Sequence, residues 1–541
     1  MVEAFTEDEV RGWVSVPADS PPTEVELRLG SMTVTRTTAT PDGAMSGAGK
    51  GARATSTPGL PSPQGDRRNS RRQIRTFTFA VSQLWDFAPK GTPLRVVTAG
   101  HVLPIHGHGM FLRAPRSGTQ TPHDLQGLFD EGYLLGRTGV VQVSKGLDEA
   151  WQSAVGSLYE ATRAVLAAEF GHDLFLTYGT LLGAVREGGF LAHDNDYDAS
   201  YVSSATTGPD AVDEVVRIAK ALIAAGFRVG AMTGGLHVVD PARPGHRIDI
   251  FHTYFDAEGV LQHPFGYAGH RQVTTAEWQG TREIDFVGRT ASIPVCAEDL
   301  LATFYGDDWR LPKTAFKWNV ERRGHDRTGV VGPSRRTEVY WADYYAHTVH
   351  AEASSFARFV HDRLGPAPVT VVDIGCGDGR DSVWFATQGR TVVGLDRAGV
   401  AIEHAREKAE QAGLVHARFE VCDLADEVAL AEVLSQEDDP LVFYSRFVLH
   451  AIDEPTQSAL QDAVDARARP GDLFVAEFRT DKDEERVKAH PKHFRRYQSA
   501  AGFLADLRER GWVVDHEVES DGLAPWGDED PVLCRVVARR P

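Results

Sequence analysis

VTVVDIGCGDGRDSVWFATQGRTVVGLD, residues 369–396, reads as an apolar strand, a glycine-rich turn, a short helix and a second apolar strand that ends in an acid. A strand–turn–helix–strand unit of this length is the building block of an open α/β sheet with parallel strands. Gly375, Gly377 and Gly379 let the backbone approach a nucleotide-like ligand, and Asp396 is placed to accept both hydroxyls of a ribose. A lone G-x-G is weak evidence, whereas the complete unit with its terminal acid is specific.

The glycine spacing is GxGxG, where a dinucleotide site has GxGxxG, and this favours S-adenosylmethionine. From about residue 345 to 541 the chain resembles class I methyltransferases. The resemblance implies that Asp373 is the acid closing the first strand and that Asp423, in FEVCDLAD, contacts the adenine amine. It also implies that LVFYSRFVLH, DLFVAEF and VLCRVVAR complete a seven-stranded mixed sheet.

On the acceptor side, His450 follows the fourth strand at the carboxyl edge, where ligands gather in such sheets. It is a candidate general base; a capping histidine is the equal alternative, and an anionic phosphate acceptor needs no base. Glu477 and Arg479 follow the fifth strand, and Arg495 and Arg496 lie in HFRR (493–496). Arg479, Arg495 and Arg496 suit a phosphate or carboxylate by forked hydrogen bonding.

A second chemical stretch is YGTLLGAVREGGFLAHDNDYD, residues 178–198. The Gly179-Thr180 bend lets the backbone approach a ligand. In an extended run, Asp194, Asp196 and Asp198 share one face, and crowded carboxylates call for a hard divalent cation. Asp249, inside the apolar strand RIDIF (247–251), is the expected further carboxylate, because a lone acid there needs a partner. Pairing with Arg247 or Arg186 is its alternative reading.

These residues, with YGDDWRLP at 305–312, resemble the LicD/fukutin family over about 145–325. The resemblance implies a nucleotidyltransferase-type fold and transfer of phosphocholine or an alditol phosphate from a CDP-linked donor to a glycan or glycan-phosphate acceptor. Mg²⁺ or Mn²⁺ would sit at Asp196, Asp198 and Asp249, with Gly179 and Thr180 on the donor and Arg186 on its phosphates. Arg310, Lys313 and Lys317 are further candidates for phosphate contacts. Asn195 replaces the family's middle acid, and Ala192-His193 stand where Pro-Trp is common.

The rest of the chain sets the frame. Its 541 residues exceed one hydrophobic core, so several domains are expected. Residues 1–115 alternate apolar and polar positions and predict a small β-sandwich, interrupted by a Gly/Ser/Pro-rich mobile loop over 42–72. An α+β transferase domain over 140–325 and a Rossmann-like domain over 345–541 follow.

A net charge of −19 opposes binding to nucleic acid. Four cysteines lack metal-type spacing. An acidic N-terminus and the absence of any apolar run of spanning length predict a cytoplasmic protein with no integral membrane segment, and leave room for peripheral association. The expectation is a bifunctional enzyme of cell-surface polysaccharide assembly. Its alternatives are a methyltransferase whose middle domain only binds glycan or nucleotide, and a scaffold docked through the β module.

Overall fold

The structure is a computed structural model, and it describes all residues except 42–71, 114–116, 137, 265–270, 313–328, 349–351, 437–439, 487 and 489–493. The loop expected at 42–72 lies outside the described residues but for its last position, as do Lys313 and Lys317. Two compact units form: Met1–Leu222 with Met232–Val331, and Ile223–Ala231 with Gly332–Pro541. The N-terminal and middle sheets share the first unit.

Alternation along the N-terminal strands turns Val10, Val14, Val25, Leu27, Phe77, Phe79, Leu94 and Val96 onto one buried face around Trp85. The eight strands pair antiparallel in a single connected sheet. Its ends meet, because Val2 forms a parallel bridge to Ile105. Val2 N donates to Pro104 O at 2.9 Å, and His106 N donates to Val2 O at 3.0 Å. A small β-sandwich was the expectation; the described strands connect in one eight-stranded antiparallel path, and the Val2–Ile105 bridge pairs edge groups that would otherwise be exposed.

The middle sheet contains, in spatial order, Gly235–Val239, Arg247–Phe255, Asp198–Val202, Phe175–Leu176, Arg289–Pro294 and Thr281–Phe286. Asp198–Val202 runs parallel to Arg247–Phe255 and antiparallel to Phe175–Leu176. Helix Glu149–Phe170 starts where the Asp148 side chain accepts from Trp151 N and ends at the left-handed Gly171. Along one side of it, Trp151, Val155, Leu158 and Leu166 are buried. Ala161 is exposed and Thr162 is buried instead, its hydroxyl satisfied by Leu158 O at 2.7 Å. Tyr159 fastens the helix to the sheet, donating to Leu174 O at 2.6 Å and accepting from Ser292 N at 3.1 Å.

The second unit is a seven-stranded sheet in the order Ala417–Val421, Thr391–Asp396, Thr370–Ile374, Leu441–Arg446, Leu473–Arg479, Leu533–Arg539, Val513–Ser520. The first five strands are parallel, and Leu533–Arg539 inserts antiparallel to both of its neighbours. This is the mixed Rossmann-like sheet expected from the sequence. Its two innermost parallel strands are apolar on both faces, Val371, Val372 and Ile374 beside Val442 and Phe443, because helices cover each side.

Candidate active sites

In the middle sheet, Asp249 is the register partner of Asp198 on the adjoining parallel strand. The bend meets Asp198 directly: Gly179 N donates to Asp198 Oδ2 at 3.2 Å, and Asp198 N donates to Thr180 Oγ1 at 2.8 Å. Gly179 and Thr180 therefore orient an acid, which the sequence reading had given to the donor. Tyr178, just before them, sits at φ 42, a left-handed conformation rare for an aromatic residue. Phe251 and Phe304 hold its ring at centroid distances of 4.9 and 4.4 Å.

A Cβ on Gly179 would collide with Asp194 Oδ2 and lie 3.5 Å from Asp198 Oδ2, so these two carboxylates converge on one point. Burial, then the charges of Asp194, Asp196 and Asp249, push the Asp198 carboxyl well above the usual carboxylate range. A carboxylate so placed is relieved by a proton or by a cation.

The three acids expected to share a metal ion are divided otherwise. Asp249 Oδ1 lies 2.7 Å from His237 Nδ1 and 3.2 Å from Arg247 Nε, and Arg247 Nη2 lies 3.4 Å from Asp196 Oδ1. The Arg247 guanidinium thus stands between Asp196 and Asp249, the pairing given as the alternative for Asp249. Among the described residues no group of three or more His, Cys, Asp or Glu side chains is arranged to hold a metal ion. The pair that fits a hard cation is Asp194 with Asp198, since Mg²⁺ commonly takes one or two carboxylates and completes its shell with water and substrate phosphates.

Arg186 binds Glu187 Oε1 at 2.7 Å and Trp309 O at 3.1 Å. Burial, then the charges of Asp198 and Asp194, raise the Tyr305 hydroxyl well above its ordinary value, and Arg186 opposes the rise. Arg310 is held by Glu298 at 2.5 Å and by the Trp309 ring.

In the second unit, a cavity of about 950 Å³ opens at the carboxyl edge of the parallel strands. Gly375, Gly377 and Gly379 all have positive φ, and a Cβ on Gly377 would collide with Tyr345 Oη. Asp396 ties the turn to the next helix, accepting from Gly377 N at 3.0 Å and Ala398 N at 2.8 Å. Burial raises its carboxyl above the ordinary value, and those amide bonds oppose the rise. Asp373 accepts from Ser382 Oγ at 2.5 Å, and burial followed by the Asp381 charge pushes it up to about 8. Asp423 is exposed on the cavity rim and accepts from Ala425 N at 3.0 Å.

Family comparisons agree with this division. A methyltransferase domain model matches residues 371–471, and a LicD/FKTN/FKRP nucleotidyltransferase domain model matches residues 171–296. The chain joins a LicD-family domain to a methyltransferase domain.

Two curated methyltransferases are similar to part of the chain. A 2-heptyl-1-hydroxyquinolin-4(1H)-one methyltransferase of Mycobacteroides abscessus is 25% identical over 151 residues, 27% of this chain and 59% of that one. A ubiquinone biosynthesis O-methyltransferase of Methylobacterium sp. is 36% identical over 118 residues, 21% of this chain and 44% of that one. The chain thus spans about half the length of these relatives. The solved glycopeptide N-methyltransferase MtfA with S-adenosyl-L-methionine is 19% identical, with 36% of this chain and 96% of that one covered at a TM-score of 0.29.

Within the methyltransferase domain, the acceptor residues fall into two groups. His450, Arg479 and Arg495 line the cavity. His450 Nδ1 accepts from Arg479 N at 3.2 Å, the kind of contact the capping alternative calls for, and in a neutral ring this leaves the proton on Nε2. Arg479 is clamped by Asp483 at 2.8 Å and Glu529 at 2.6 Å.

Glu477 and Arg496 depart from expectation. Glu477 is fully buried between Arg446 at 3.0 Å and Arg535 at 2.5 Å. Arg496 is spent on Leu449 O and Ile452 O, each at 3.3 Å, and on Gln457. Both are structural because the turn after each parallel strand needs its carbonyls and charges satisfied.

Among the cavity residues that escaped sequence reading are Tyr345 and Trp341, on helix Pro333–His347, and Phe447, at φ 62. The aromatic run YWADYY was the only signal for the first two. Nothing in the sequence marks Phe447 as strained.

Proposed function

We propose that the chain is a bifunctional transferase of cell-surface glycan assembly. The methyltransferase domain transfers a methyl group from S-adenosylmethionine to an acceptor in the 950 Å³ cavity. The observation that carries this is the double grip of Asp396 on Gly377 N and Ala398 N. It fixes the glycine turn, and each carboxylate oxygen keeps a lone pair for a ribose hydroxyl. S-adenosylmethionine supplies the electrophilic methyl; His450 Nε2–H and Arg495 orient an oxygen-bearing acceptor toward it.

The LicD domain, on this reading, moves a substituted phosphate from a CDP-linked donor to a glycan. An acceptor oxygen bonds to the phosphorus distal to cytidine, and CMP leaves. Support comes from Asp198, whose crowding by Asp194, Asp196 and Asp249 leaves an excess of negative charge beside the Gly179 bend. Mg²⁺ or Mn²⁺ at Asp194 and Asp198 would neutralise charge on the diphosphate. Arg186 and Tyr305 close the same corner.

One observation favours a second reading, in which the LicD domain binds nucleotide or glycan without turnover: Arg247 already occupies the space between Asp196 and Asp249. Incubating the full chain with CDP-choline and CDP-alditols plus Mg²⁺, with and without glycan acceptors, separates the two. CMP release supports transfer; donor binding without CMP supports the second reading. Methyl transfer is tested with labelled S-adenosylmethionine on the same acceptors before and after phosphotransfer.

A further inference from the structure

Asp194 and Asp196 sit on a segment, 192–197, that belongs to no helix or strand. Like charges there repel and would spread a free loop. Strand Arg247–Phe255 holds one end of it, through Arg247 on Asp196 and Asp249 N on Tyr197 O, and further restraint comes from outside the LicD sheet.

A hairpin of strands Tyr133–Leu135 and Val141–Val143 follows the N-terminal module. Leu135 and Val141 pack on the N-terminal core. Gln83 N donates to Gly139 O at 2.8 Å, and Val141 N donates to Gln83 Oε1 at 2.8 Å. Gly139 has φ 79, and a Cβ there would lie 2.5 Å from the backbone nitrogens of Val81 and Ser82. The hairpin is therefore pinned to the N-terminal sheet at its turn and along one strand.

Its last strand offers Gln142 to the acidic segment. Gln142 Nε2 donates to His193 O and to Asn195 Oδ1, both at 3.2 Å, and Asn195 Nδ2 donates back to Gln142 Oε1 at 3.1 Å. Three residues on, Lys145 N donates to Ala192 O at 3.0 Å. Residues 192, 193 and 195 are thus fastened, and the residues interleaved with them or next to them are Asp194 and Asp196.

From this we infer that Gln142 is a positioning residue, and that the N-terminal module works through it to hold Asp194 and Asp196 beside Asp198. The reciprocal amide pair explains the amide at position 195. A carboxylate there could accept from Gln142 but could not donate to its Oε1, and would add a charge to a crowded site. The inference rests on the phosphotransfer reading for its consequence in catalysis, though the brace itself is a property of the fold.

Hydrogen exchange followed by mass spectrometry on the full chain tests it, with wild type, Gln142→Ala and Asn195→Asp compared. Gln142→Ala should lower protection of peptides covering 192–198 by about tenfold, the size of one net hydrogen bond, and leave 247–255 unchanged. Asn195→Asp should fall between wild type and Gln142→Ala. In parallel, the Mg²⁺ concentration for half-maximal CMP release should rise in both variants.

Unchanged protection at 192–198 in Gln142→Ala overturns the inference. So does loss spread equally over 247–255, since that reports unfolding of the whole sheet. Localised loss of protection in a protein whose wild type releases no CMP would keep the brace and remove the phosphotransfer reading. CMP release with unaltered exchange does the reverse.

Discussion

Asp198 and Asp249 stand side by side as register partners on two parallel strands, yet they have opposite surroundings. Asp249 has His237 and Arg247 within 3.2 Å, while among the described residues Asp198 receives the Gly179 amide on its carboxylate and faces three other acids. On the proposed phosphotransfer, the difference gives the reactive charge to Asp198. Asp198→Asn should lower CMP release by at least about 100-fold, since a neutral amide cannot balance a cation and the diphosphate. Asp249→Asn should cost less activity, roughly tenfold, while loosening Arg247. Steady-state CMP release over a Mg²⁺ titration measures both, and chelation by EDTA should abolish the wild-type rate.

Asp396→Ala leaves Gly377 N and Ala398 N without their carboxylate partner and removes the ribose acceptor. S-adenosylmethionine affinity should fall by about 100-fold or more, the sum of two or three charge-assisted hydrogen bonds after solvent compensation. Calorimetric titration on the full chain reads this directly. Asp423→Ala, at an exposed position with one local hydrogen bond, should lose less than about tenfold.

Glu477 and His450 separate structure from chemistry on the acceptor side. Glu477→Ala strands Arg446 and Arg535 as unpaired buried cations and should destabilise the methyltransferase domain by roughly 3–5 kcal/mol, visible as a lower melting temperature. His450→Gln keeps a side-chain donor and should retain methyl transfer within about fivefold; His450→Ala should lose tenfold or more. A base would respond otherwise, losing as much in the Gln variant as in the Ala one.

Acid should unfold the LicD domain early. Burial pushes His252 down to about 4 and His263 down to about 3, so both are neutral when folded. Unfolded histidines titrate near 6.5 and bind protons first as pH falls. Stability is therefore fully present above about pH 6.5 and is lost progressively as pH drops toward 4, by about 3 kcal/mol for His252 alone. Thermal melts between pH 7.5 and 4.5 should show the first unit's transition falling. His252→Gln should flatten that slope.

The sequence by itself determined the elements whose signals are local. The βαβ unit at 369–396, its three left-handed glycines and Asp396 follow from residue spacing, because a tight turn and a paired strand end are satisfied within about 30 residues. The order of carboxylates at 194–198 was equally plain. Tertiary structure alone decided which charges are spent. Arg247 reaches Asp196 across 51 residues, Arg535 reaches Glu477 across 58, and Gln142 reaches Asn195 across 53. Such contacts spend Glu477 and Arg496 within the scaffold and link the N-terminal strands in one connected path. A side chain's chemistry depends on its burial and on its nearest opposite charge, and in this chain both come from segments far apart along the backbone.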